Sequence, residues 1–97
     1  MDKLIAKIKR IVAENFPGAK LQLSRRTGQV EGVLVWQGFD RMFQIDRQVK
    51  LRRAINASLS AQDRPKVSFI LTMTEMEQKA IADEERRPAI SRRKKTA

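Results

Sequence analysis

The chain contains no histidine and no cysteine. Those two absences remove the commonest general base, the commonest transition-metal ligand and every thiolate nucleophile or sulfur ligand. Ser24, Ser58, Ser60, Ser68 and Ser91 therefore have no imidazole to activate them, and no lysine stands at a diagnostic spacing for the task. Glu75 and Glu77 lie two residues apart, but they follow Thr74 where a helical pattern begins. Carboxylates at that position cap a helix and offset its dipole. An enzyme is not expected and no cofactor is implied. What remains is cationic chemistry: 21 lysines and arginines against 11 aspartates and glutamates, a formal charge of +10.

The excess is not confined to one end. Residues 83–97 hold six basic and three acidic side chains, whereas residues 1–82 hold fifteen and eight. Arg25 and Arg26 stand in a polar turn, Arg47, Lys50, Arg52 and Arg53 on one helical segment, and Lys7 and Arg10, with Lys3 and Lys9, on another. A single such cluster is ordinarily a solvated face. Several together favour a phosphate-rich partner, which rewards many delocalised lysine and arginine contacts without base readout. Trp36 is the only tryptophan, tyrosine is absent, and aromatics make up 5% of the chain, too few for a base-stacking sheet.

The elements that must position these cations follow from periodicity. Leu4, Ile8, Ile11 and Val12 recur at helical spacing, with Ile5 and Phe16, so residues 2–16 read as an amphipathic helix capped by Asp2 and stopped by Pro17-Gly18. Residues 20–24 alternate with Leu21 and Leu23 on one face, residues 25–29 form a turn, and residues 30–39 form a second strand antiparallel to the first. Leu34 and Trp36 point one way along it and Val33 and Val35 the other, the mark of a central strand.

Residues 38–45 connect, keeping Phe39 and Phe43 for packing. Asp46 then caps a helix with an inner stripe of Leu51, Ala54, Ile55, Ser58 and Leu59, ending near Gln62. Val49 falls outward without a packing role. Residues 66–73 read as a third strand with Val67, Phe69 and Leu71 on one face, and Thr74 with Glu77 forms a capping box for a last helix to about Asp83. The order is α-β-β-α-β-α: an α+β fold with a three-stranded sheet and helices on one face. Residues 1–83 make one such domain. Residues 84–97, with Pro88 and Arg92-Arg93-Lys94-Lys95, read as a disordered basic tail.

This order, together with residues 46–55 (DRQVKLRRAI) and residues 73–77 (MTEME), resembles the BolA-like family, whose fold is related to the type II KH fold. The resemblance spans residues 2–82. It implies either nucleic-acid binding or an adaptor role. The family pattern has Arg-His-Arg where Arg47-Gln48-Val49 stand and a histidine near Lys66-Val67-Ser68. Those histidines accompany shared iron–sulfur clusters and monothiol glutaredoxin partners, so that role does not carry over to a chain without histidine. Nor do Gly28, Gly32 and Gly38 form the Gly-x-x-Gly clamp of a KH domain.

The leading expectation is a cytoplasmic, non-enzymatic domain that contacts the phosphates of nucleic acid, RNA before DNA, through Arg25, Arg26, Arg47, Lys50, Arg52, Arg53, Lys7 and Arg10. The alternative is an interaction module that binds an acidic protein or forms a homodimer through its sheet. Neither requires a metal, and no apolar stretch is long enough to span a membrane.

Overall fold

The structure, a computed structural model, describes residues 2–85. Three helices and three strands follow in the expected order: α1 (Asp2–Asn15), β1 (Lys20–Arg26), β2 (Gln29–Val35), α2 (Gln44–Ser58), β3 (Val67–Met73) and α3 (Glu75–Glu85). Short 3₁₀ turns precede α2 and β3.

The hairpin closes on two residues. Thr27 and Gly28 have φ of 42° and 77°, the paired positive values that match the twist of tightly joined strands. Both strands therefore run further toward the turn than expected, and Arg25 and Arg26 belong to β1. β2 lies between antiparallel β1 and parallel β3, with a register shift between Val30 and Gly32. A parallel neighbour needs a crossover connection, and α2 supplies it.

One face of this sheet carries the core. Leu4, Ile8, Ile11 and Val12 of α1 and Leu51 and Ile55 of α2 pack with Val30, Leu34 and Ile70 of the sheet and with Phe16 and Phe39. Trp36 closes one end of the core: its ring meets Phe16 and Phe39 edge-on, each at 5.1 Å, and its indole N–H donates to the Pro17 carbonyl at 2.9 Å. A Cβ on Gly38 would come within 2.4 Å of that indole, so only glycine admits the ring there.

Five expectations require correction. β2 ends at Val35, and Gln37–Phe39, read as its continuation, form a 3₁₀ turn in which Gly38 lies against the Trp36 ring. On β3 it is Ile70 and Thr72 that face the helices, while Phe69 and Leu71 lie on the exposed side. Thr72 is tolerated in the core because its hydroxyl donates to Gln44 Oε1 at 2.9 Å and accepts from Gln48. Phe43 is 78% exposed rather than packed. Helix α2 begins at Gln44 with no side-chain cap, leaving Asp46 in its first turn, and it ends at Ser58, which is exposed. Finally, α3 continues through Glu85, two residues into the stretch read as a tail; the rest of that stretch lies outside the described residues. No helix among the described residues is long and apolar enough to cross a membrane.

Candidate functional site

Helices α1 and α2 lie side by side on the sheet, and the seam between them can be followed from end to end. At one end, Lys3 and Lys7 of α1 line a groove with Asp63 and Lys66, which follow α2. At the other, Asn15 and Phe16 line a groove with Lys50, Arg53, Ala54 and Ala57 of α2. The two helices thus run in opposite directions. Ala54 and Ala57 of α2 line the groove beside Phe16, with Lys50 and Arg53 along it.

Geometry divides the basic residues into those already neutralised and those that are not. Lys7 pairs with Asp63 at 3.4 Å, and Lys66 shares the same carboxylate at 3.7 Å. Arg25 pairs with Asp2, Arg26 with Glu31 at 3.4 Å and Lys20 with Glu75 at 3.7 Å. Among the described residues, Lys3, Lys9, Arg10, Lys50, Arg52 and Arg53 reach no carboxylate at ion-pair distance. Lys50 is held over aromatic rings, its ammonium 5.6 Å from the Phe16 centroid and 5.8 Å from that of Trp36. Such contacts fix the position of a cation while leaving its charge available.

The residues singled out in the sequence therefore do not form one patch. Lys50 and Arg53 lie on the seam. Arg10 is exposed on α1, and Lys7 sits at the seam's far end. Arg25 and Arg26 occupy the hairpin end, each with a partner carboxylate. Arg52 is on the opposite flank of α2, beside β3.

Arg47 is not a surface cation. Only 7% of its side chain is exposed; its guanidinium donates to the Met42 carbonyl at 3.0 Å and to Glu77 at 2.6 Å, and it stacks 5.7 Å from the Phe39 centroid. Its partner is thirty residues away along the chain, which is why a local reading placed it outside. Conversely, Lys3 and Lys66 belong to the seam although neither stood among the site candidates; the exposed flank of the first helix was the signal for Lys3, and nothing local distinguished Lys66.

Glu77 is the most constrained carboxylate. It accepts from Arg47 and from the Thr74 backbone N–H at 2.7 Å, while its own N–H donates to Thr74 Oγ1 at 3.2 Å, completing the expected capping box. The Arg47 hydrogen bond, followed by that of Thr74, holds its carboxyl below the usual glutamate range. An acid so engaged is committed to structure. Gln48, which stands where the family pattern has histidine, is likewise committed: its amide donates to the Ile70 carbonyl at 3.0 Å and to Thr72 Oγ1 at 3.2 Å.

No protein-family model matches the chain, and no curated protein matches it. Its structure is similar to the crystal structure of a Bol-like protein from Babesia bovis, with a TM-score of 0.54 and 17% identity over 79% of this chain and 91% of that one. The α-β-β-α-β-α chain thus has a BolA-like fold.

Proposed function

We propose that the protein is a non-enzymatic nucleic-acid-binding domain that holds a phosphate backbone along the seam between α1 and α2. The observation that carries this reading is that, of the cations on the two helices that find no carboxylate among the described residues, Lys3, Lys50 and Arg53 line the seam and Arg10 stands exposed on α1, while Lys9 and Arg52 lie on other flanks. A lysine or arginine without a carboxylate partner is available to neutralise a phosphate, and the cations condensed on the polyphosphate are then released into solution with a gain of entropy. RNA is the first substrate to test, because the element order is KH-related.

The test compares the seam with the hairpin in a salt titration against a single-stranded RNA and a DNA duplex. Replacing Arg10, Lys50 and Arg53 by glutamine is expected to flatten the salt dependence on the single strand by about 2 log units per log unit of salt, roughly 0.7 for each phosphate no longer neutralised. Arg25→Gln with Arg26→Gln is expected to change it much less, because both charges are already paired. An unchanged slope in the seam variant removes the seam from the site. Absence of wild-type binding at low salt sinks the reading.

A second reading, an interaction module, is favoured by a separate observation. Among the described residues, the large exposed hydrophobics are Phe43, Ile45, Val49, Phe69, Leu71, Met76 and Ile81, contributed by the start of α2, by β3 and by α3. Uncovered apolar side chains in this number on so small a domain favour contact with a partner.

A further inference from the structure

One flank of α2 stands against β3, and the two are tied unevenly. Gln44 and Gln48 reach across to the Thr72 and Ile70 carbonyls at 3.1 and 3.0 Å. Arg52, one turn further along the same helix face, makes no such tie and no ion pair among the described residues. The strand also changes course there. Two steps along β2, from Val30 to Gly32, span three along β3, from Val67 to Ile70. The extra residue lets both Val67 and Ile70 pack on the core and leaves Ser68 and Phe69 exposed. A cleft of about 130 Å³ opens where the ties stop and the strand bulges.

The cleft joins apolar surface to positive charge. Leu51, Ile55 and Ile70 lie at its base and Phe69 lines one side. Arg52 and Arg64 border it, and no carboxylate does. Arg64 is held in place: its Nε donates to the Leu59 carbonyl at 3.2 Å and its Nη2 to that of Asn56 at 2.7 Å. Neither bond uses Nη1 or neutralises the charge. A guanidinium already positioned loses little freedom on meeting a carboxylate. A free small molecule fits poorly, because such sites run to about 300–1,000 Å³ and enclose most of their ligand. The space matches one bulky side chain, since a cavity of roughly 150 Å³ admits a benzene ring. Apolar surface continues outside it: Ile45 and Val49, 72% and 42% exposed, precede Arg52 and Asn56 at spacings of three and four along α2. Only a ligand several residues long covers both.

We infer that the cleft takes one bulky apolar side chain from an acidic peptide segment of a partner protein, with carboxylates flanking that residue and meeting Arg52 and Arg64. This rests on the interaction-module reading and gives it a site and a partner chemistry. Residues 86–97 of the chain hold six basic and no acidic side chains, so they carry the wrong sign to be that segment. A nucleobase is disfavoured, because its polar edge atoms find no partner on an aliphatic base. The seam with Lys50 and Arg53 lies on the other flank of α2, so occupancy of the cleft does not depend on nucleic-acid binding.

The test is an amide chemical-shift titration of the full chain with capped pentapeptides taken into the millimolar range. Glu-Asp-Leu-Asp-Glu and its phenylalanine counterpart are expected to shift the amides of Leu51, Arg52, Ile55, Arg64 and Phe69. Serine in place of the apolar residue, or lysine in place of every acid, should weaken binding at least about tenfold. Arg52→Glu changes an exposed residue without an ion-pair partner, so the spectrum should keep its dispersion. Affinity for the acidic leucine peptide should fall at least about tenfold, and the lysine-flanked peptide should gain. Shifts confined to Ile45, Val49, Met76 and Ile81 overturn the cleft as the site while leaving the interaction-module reading standing. Peptides that shift no amide overturn the inference, as does an equal response to leucine and serine or an Arg52→Glu chain that binds like wild type. Cleft shifts that appear on concentrating the protein alone, or equally with a single-stranded RNA, name a second copy or nucleic acid as occupant and overturn it too.

Discussion

The two flanks of α2 follow opposite rules. Toward α1, the large apolar side chains are inside: Ile8 and Phe16 are 0% exposed, and what reaches solvent is basic or small. Away from α1, Ile45 and Val49 remain exposed on the helix, and Phe69 and Leu71 are exposed on the neighbouring strand. The same helix thus completes a core on one side and leaves apolar surface uncovered on the other. The difference separates what folding requires from what binding requires. On the proposed reading a polyanion would meet a seam whose fold is already satisfied, whereas the exposed apolar area elsewhere on α2 and on β3 would leave water only on contact with a partner.

The sharpest way to break this comparison is to delete apolar atoms on each side. Ile8→Ala should cost about 2–5 kcal/mol, because it leaves a cavity in a packed core. Phe43→Ser should stay within about 0.5 kcal/mol, because little is buried there to lose. Urea unfolding at low concentration measures both. Equal costs would show that the β3 side is a true core in the monomer.

A smaller effect concerns the anchor of α3. Because Arg47 and Thr74 depress the Glu77 pKa in the folded state, the pair contributes stability above the ordinary glutamate range. That contribution is lost as pH falls through the folded value. Glu77→Gln should therefore be less stable than wild type at neutral pH by about 1 kcal/mol, a modest figure because the carboxylate is half exposed and screened. The gap should close in strong acid. A gap that persists there would assign the effect to packing of Arg47 instead of to charge.

Much of the fold was legible because its signals are local. The helical stripe of α1, the breaker Pro17-Gly18, the central position of β2 and the Thr74–Glu77 capping box each depend on residues within a turn or two of one another. What failed depended on distant partners. Residues 67–73 are apolar on both faces, so alternation alone could not say which side meets the helices, and the buried Thr72 is acceptable only because Gln44 and Gln48 reach it from α2. Arg47 looked like its basic neighbours until Glu77 was placed beside it. The candidate site was legible in composition, but not in which cations are paired: Asp2 with Arg25 and Asp63 with Lys7 are tertiary contacts.

The smallest expected effect concerns the border between the two flanks. Gln48 is partly buried on α2, and its amide crosses to the Ile70 carbonyl and the Thr72 hydroxyl at the edge of β3. Gln44 makes a parallel tie to the Thr72 carbonyl at 3.1 Å. If the β3 side is a surface awaiting a partner, water should replace the missing donor after Gln48→Ala, since the Ile70 carbonyl faces outward and Gln44 still holds the strand. The stability cost should then be about 0.5–1 kcal/mol, the net worth of a replaceable hydrogen bond. The edge itself changes more. With its carbonyl released beside exposed Phe69 and Leu71, β3 becomes a template for strand addition, and light scattering should rise at high protein concentration. A cost of several kcal/mol would instead mean that the Ile70 carbonyl is sealed from water, placing Gln48 in the core and moving the border outward by one row of side chains.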